Sequence, residues 1–158
     1  MAGIRPVLEQ GPLTFSANVL IKAGTLVIPD GTTGRIKPAT AKALNVLGLA
    51  IGDASAYDYV NSDTTDAWDN PVVNGGLYPP NEVAVAYRGV WRVKFSGSAV
   101  AFGQYVVAAA NGLFQGYTAG TDTFDMIVGK CVEPLGVTSG DISAGTRRKV
   151  LLGAVGAA

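Results

Sequence analysis

Residues 90–96, VWRVKFS, alternate without a break: Val90, Arg92 and Lys94 fall on one side, Trp91, Val93 and Phe95 on the other. Period-two alternation marks a strand with one buried face. EVAVAYRG at 82–89 behaves alike, with Val83, Val85 and Tyr87 opposite the small Ala84 and Ala86. Eight further runs read as strands: LTFSANV, GTLVIP, GRIKPA, NVLGLAI, GQYVVAA, LFQGY, MIVGKCVE and RRKVLLG. Between them stand turn residues, drawn from 21 Gly and 8 Pro in the chain. Short strands with turn signals about every eight to twelve residues predict an all-β fold, a compact antiparallel barrel or sandwich. Helical pattern is thin. ATAKALNVLG has the residues for a turn or two, and SAVAFGQYVVAA holds good formers interrupted by Gly103, so short helices at most are expected.

The pattern also repeats. AGTLVIPDGTTGRIKPA at 23–39 and FGQYVVAAANGLFQGYTAG at 102–120 each set an apolar run between glycine-bearing turns. Gly24 matches Gly103, Leu26-Val27 matches Tyr105-Val106, and VLGLA at 46–50 matches IVGKC at 127–131, all about eighty residues apart. Phe15-Ser16 is aligned with Phe95-Ser96 on the same offset. EVAVAYRG and RRKVLLGA close the two units. The expected organisation is an extended N-terminal arm at 1–13 and one β domain at 14–158. That domain is built from related units at about 14–89 and 90–153, the first carrying a long inserted loop at about 53–80. Neither unit buries a full core alone, so the two are expected to pack together.

The insertion differs in kind from the strands around it. It is acidic, with Asp53, Asp58, Asp63, Asp66 and Asp69 and no Lys or Arg, and it is aromatic, with Tyr57, Tyr59, Trp68 and Tyr78. Such a loop either folds over its own domain or forms a contact surface for a neighbouring subunit. The arm, with Ile4, Arg5, Val7 and Leu8 among its prolines, either frays or adds to the sheet edge of a partner. Arg147, Arg148 and Lys149 read as a solvated strand edge or as the basic half of a contact with the acidic loop. Ile4, Arg5, Val7, Leu8, Tyr57, Tyr59, Trp68, Tyr78, Arg147 and Arg148 are therefore the candidate contact residues.

Composition narrows the chemistry. Of 158 residues, 48% are apolar and 15% charged, so a folded chain with a partner-covered surface is expected. Twelve basic and twelve acidic residues cancel, which leaves no excess to neutralise phosphates, and nucleic acid is not expected as a partner. MAGIRPVLEQGP lacks the apolar core of a secretory signal, and no run reaches the roughly 18 apolar residues of a membrane helix. Folding in a reducing cytoplasm and no membrane partner are expected. The chain has no histidine and one cysteine, Cys131, which removes Ser-His-Asp and Cys-His catalysis, imidazole metal sites and disulfides within the chain. Cys131 lies in an apolar strand and reads as a small buried hydrophobe. GTTGRIK lacks the ending of a phosphate loop, and Asp63, Asp66 and Asp69 miss the spacing of a helix-hand calcium loop. No acid pair stands out for glycoside hydrolysis. No enzyme, cofactor or metal site is expected.

Several of these phrases form a wider pattern: Ile4-Arg5-Pro6, Gly11-Pro12-Leu13-Thr14-Phe15, Gly24-Thr25-Leu26-Val27, Gly34-Arg35-Ile36-Lys37-Pro38-Ala39, VLGLA at 46–50 and the strand at 82–90. Together they resemble the capsid decoration (cement, head-stabilising) proteins of tailed bacteriophages, over most of the chain outside the insertion. The resemblance implies a small, β-rich, non-enzymatic virion protein. It would sit on the exterior of the mature capsid, bind the major capsid protein, assemble as a homotrimer and clamp neighbouring capsomers. Other readings are a tail-tube or head-fibre base protein, or a carbohydrate-binding β module using Trp68, Tyr57, Tyr59 and Tyr78 as a stacking platform.

Overall fold

A computed structural model describes residues 12–31, 33–56, 68 and 81–153. The described residues form two five-stranded antiparallel sheets, one short α-helix and two single-turn 3-10 helices. The strands are β1 (Leu13–Ser16), β2 (Leu26–Pro29), β3 (Ile36–Pro38), β4 (Gly48–Ala50), β5 (Glu82–Ala86), β6 (Gly89–Val93), β7 (Tyr105–Ala108), β8 (Phe114–Gly116), β9 (Ile127–Cys131) and β10 (Arg148–Leu152). Each lies within, or one residue outside, a run picked out by the hydrophobic pattern. Neither sheet closes on itself, so the all-β expectation resolves to a sandwich-like fold and not a barrel.

The sheets repeat one topology. The first runs β1-β5-β4-β2-β3 and the second β6-β10-β9-β7-β8. The registers agree residue by residue. Leu26 pairs with Leu49 and Val27 with Gly48; Tyr105 pairs with Lys130 and Val106 with Gly129. Ile21 and Ala54 exchange backbone hydrogen bonds of 2.7 and 3.0 Å, and Val100 and Val137 exchange bonds of 2.9 and 2.7 Å. Gly24 N–H donates to Ala50 O and Gly103 N–H to Cys131 O, both at 2.8 Å, with φ of +82° and +79°. The matches made from sequence at Gly24, Leu26-Val27 and 46–50 are these structural equivalents.

One match is corrected by two residues. Phe15 pairs with Val83 as Val93 pairs with Arg148, so the counterpart of Phe15 is Val93. Phe95 instead corresponds to Ala17: Ala17 makes a parallel bridge to Ile36, and Phe95 makes one to Phe114. The shared Phe-Ser dipeptide misaligned the units because the same core place holds Ala17 and Ile36 in one and two rings, 6.0 Å apart, in the other.

Alternation divides the core in two. Val27, Ala50, Val83 and Val85 point into a cluster with Ala17, Ile21, Ile36 and Ala54, all from the first unit. Leu26, Ile28 and Leu49 point the other way and join Val93, Phe95, Val106, Phe114, Cys131 and Val150 of the second unit. The first sheet is thus covered on both faces, which is why β2 and β4 are continuously apolar rather than alternating. The two units meet through this second cluster. Gly112 N–H donates to Ala39 O, and Lys42 N–H to Ala108 O, both at 2.8 Å.

The helix, α1 (Ser139–Ser143), lies in neither segment considered for one. ATAKALNVLG forms a turn leading into β4, and the SAVAFGQYVVAA segment contributes β7. Helix α1 is set by a local signal instead. Thr138 and Asp141 form a capping box, and Gly145 at φ +66° follows its C-terminal end. Among the described residues no helix is long and apolar enough to cross a membrane.

Candidate interaction surface

Three of the candidate contact residues fall within the described structure: Trp68, Arg147 and Arg148. Ile4, Arg5, Val7, Leu8, Tyr57, Tyr59 and Tyr78 lie outside the described residues.

Trp68, from the insertion, reaches both units. Its indole lies flat enough over Gly24 that a Cβ there would come 2.7 Å from Cε2. Its Nε1–H donates to the backbone oxygen of Arg92 at 2.5 Å. Arg92 belongs to β6, an edge strand among the described residues, so the indole covers part of that edge. Only glycine admits the ring this closely. The equivalent Gly103 has nothing within 4 Å of its Cβ position, because the second unit has no matching insertion.

Trp68 and Arg147 are brought together. With Trp91 and Arg92 they line a shallow cleft of about 340 Å³. Trp91 also borders a neighbouring groove of about 430 Å³, lined by Pro12, Ile51, Ala86, Tyr87, Arg88 and Gly89. Trp91 is held by its Nε1–H, which donates to Arg88 O at 2.9 Å. The Arg88 guanidinium lies 5.7 Å from the Tyr87 ring centroid. The result is a surface along β6 that offers indole and phenol rings, three guanidinium groups and an exposed Val90. Aromatic and arginine side chains are the types that carry most binding energy at protein interfaces. Sequence reasoning named Trp68 and Arg147 but not Trp91, Arg88 or Arg92. Trp91 lies on the core-facing side that the alternation of VWRVKFS gives it, packed against the cluster of Val93 and Phe95, and it is half-buried there at the edge strand β6.

Arg148 does other work. It pairs with Asp141 of α1, which also accepts from the backbone and hydroxyl of Thr138 at 2.9 Å each. The Arg148 guanidinium, with help from Thr138, holds the Asp141 carboxyl down at about 2. At the equivalent place the first unit has the buried Val83. Strand β10 lies between β6 and β9, so Arg147, Arg148 and Lys149 are not a strand edge of the sheet, contrary to the reading from sequence. Period-two patterning does not reveal which strand is outermost.

Cys131 is fully buried in the core shared by the units, and burial pushes its thiol up. Among the described residues no group of three or more Cys, Asp or Glu side chains is placed to hold a metal ion.

No protein-family model matches the chain, and no curated protein does. Among solved structures the fold is similar to the N base of the head fibre protein gp8.5 of bacteriophage phi29. The TM-score is 0.52 at 15% identity, and the match covers 89% of this chain and 92% of that one.

Proposed function

We propose that this chain is a non-enzymatic structural protein of a tailed-phage virion, bound to the outer surface of the capsid. The observation that carries this reading is the likeness of fold to a head-fibre base along nearly the whole of both chains. The cement-protein resemblance in the sequence points to the same part of a virion by a separate route. The aromatic and arginine surface along β6 supplies a contact face of the required kind. In this role the protein binds the major capsid protein and bridges neighbouring capsomers as a homotrimer. It stabilises the shell because it binds the assembled lattice and not free subunits, and three linked sites raise the effective affinity.

The fold likeness favours a second reading, in which the chain is the shell-bound base of a head fibre. Both readings place the same protein on the same surface. Co-sedimentation of the purified chain with expanded shells and with precursor shells tests what they share. Preferential pelleting with expanded shells is expected; a chain left in the supernatant with both would overturn the proposal. Electron microscopy of the decorated shells then separates low knobs from projecting fibres.

A further inference from the structure

The junction between the two units uses one half of a surface that the repeat provides twice. Within the chain, the turn at Gly112 presses on the start of β2. A Cβ on Gly112 would come 2.5 Å from Leu26 O and 2.8 Å from Thr25 Cβ. The Leu26 and Leu49 side chains at this junction are fully buried. Carrying the contact over by the repeat gives a second pair of surfaces. Gly34 stands for Gly112, Gln104 and Tyr105 for Thr25 and Leu26, and Lys130 for Leu49. In addition, Gly120 stands for Lys42, which shares its positive φ.

Those second surfaces do not meet. Nothing lies within 4 Å of a Cβ position on Gly34 or Gly120. Tyr105 and Lys130 are half-exposed where their counterparts are fully buried. Around them is an aromatic face. Tyr105 meets Tyr117 edge-on at 6.5 Å, Tyr117 stacks on Phe124 at 5.9 Å, and the Lys130 ammonium lies 4.6 Å from the Tyr105 ring centroid. Phe124 is 73% exposed. One chain therefore carries an unused turn on its first unit and an unused seat on its second.

We propose that the Gly34 turn of one copy seats on the face of Gln104, Tyr105 and Lys130 of the next copy. The contact between copies continues the junction inside the chain. It is head-to-tail, so successive copies add in one direction and close into a ring where the rotation permits. The aromatic rings and Lys130 replace the leucines of the internal junction, as suits a surface that must be soluble before a second copy covers it. The inference rests on the self-association in the proposed function and is independent of shell binding.

A cross-link tests it. Asn111 lies beside Lys22, Thr25 and Pro38 in one cleft. The counterparts of Asn111 and Lys22 are the exposed Thr33 and Ala101. A full-length Thr33→Cys/Ala101→Cys variant, treated with a short bismaleimide and run on a denaturing gel, is expected to give a ladder past the dimer. Neither single variant is expected to do so, and Cys131 is buried away from the reagent. No ladder, or a product that stops at the dimer, would overturn the proposal. Phe124→Glu changes an exposed ring and should leave the melting temperature within a few degrees. Light scattering is expected to show its mass fall to that of one chain, and an unchanged oligomer would count against the interface. An oligomer without the cross-link refutes this contact alone, whereas a wild-type monomer refutes self-association as well. Co-sedimentation of the same variants with shells reads the shell contact separately.

Discussion

The Lys42 ammonium stands 2.6 Å from Oδ1 of Asp122, and this pair ties the first unit to the second. Its two members are unequally placed: the Asp122 side chain is 1% exposed and that of Lys42 is 38% exposed. Asp122 also accepts from Thr118 N–H at 2.7 Å. The Lys42 ammonium beside it holds its carboxyl below the ordinary range despite burial. Removing the cation strands a buried charge, whereas neutralising the acid leaves a lysine free to turn to water. Lys42→Met is therefore expected to cost about 1–2 kcal/mol at neutral pH, and Asp122→Asn less. Urea titrations of both variants check the order. A costlier Asp122→Asn would show that the pair is held for its hydrogen bonds and not for its charge.

The repeat predicts paired effects at its glycines. A Cβ on Gly48 would lie 2.3 Å from Ala86 O, and one on Gly129 would lie 2.3 Å from Leu151 O. Both contacts are with neighbouring backbone, which cannot move without opening the sheet. Gly48→Ala and Gly129→Ala should each cost about 3 kcal/mol or more, or prevent folding. Gly24 and Gly103 form the opposite case, with like backbone and unlike surroundings. Alanine pays a similar conformational cost at each, about 1 kcal/mol, but only at 24 does it also displace the Trp68 indole. Gly24→Ala should lower the melting temperature more and shift tryptophan emission to the red. Equal losses at the two sites would mean that Trp68 adds nothing there.

Most of the architecture was legible because it follows from local alternation and punctuation. Ten apolar runs gave ten strands, and the Gly24 and Gly103 phrases identified true equivalents in the two sheets. What the pattern could not carry was lateral order. It left β10 looking like an edge, although it is interior, and it put Trp91 on the core side, where it packs, without showing that β6 is an edge that leaves the ring half-exposed. Neighbouring strands are chosen by contacts between residues far apart in sequence, and these leave no period to read. The Phe15 misalignment has the same origin, since hydrogen-bond register and not residue identity fixes equivalence. Trp68 and Arg147 could be named as aromatic and basic residues that needed a role, but their meeting in one cleft depended on the contact of Trp68 with Arg92 of β6, far away in sequence.

Acid stability should be set in part by Asp141. Arg148 and Thr138 hold its folded pKa at about 2, below the value of about 3.9 for an unfolded aspartate. The lowered folded value means that the unfolded chain binds the proton more readily. The stabilisation is therefore complete above about pH 4 and is lost as the pH falls from there through 2. Asp30, lowered chiefly by the Lys37 hydrogen bond, and Asp122 act with the same sign. The urea midpoint is expected to be level above about pH 5 and to drop steeply below 4. Asp141→Asn, which keeps an acceptor for the cap but has no proton to gain, should have a lower midpoint at neutral pH and a shallower acid drop. A drop as steep as that of wild type would place the acid sensitivity elsewhere.

The surface along β6 gives the most direct link between structure and the proposed shell contact. Trp68→Ala removes the donor to Arg92 O and the cover over Gly24, so it should weaken the fold by about 1–3 kcal/mol as well as any binding. Arg147→Glu is the cleaner test. Arg147 lines the cleft beside Trp68 and Trp91, and no ion pair of the fold depends on it among the described residues. Reversing its charge should leave the melting temperature nearly unchanged. If the cleft faces the shell, the change should reduce co-sedimentation with expanded capsids by about tenfold or more, and raised salt should weaken wild-type binding in the same direction. Binding by Arg147→Glu equal to wild type, at low and high salt alike, would remove this cleft from the contact face. It would also leave the Tyr105 face, with its separate cross-linking test, as the chain's one aromatic surface with a proposed partner.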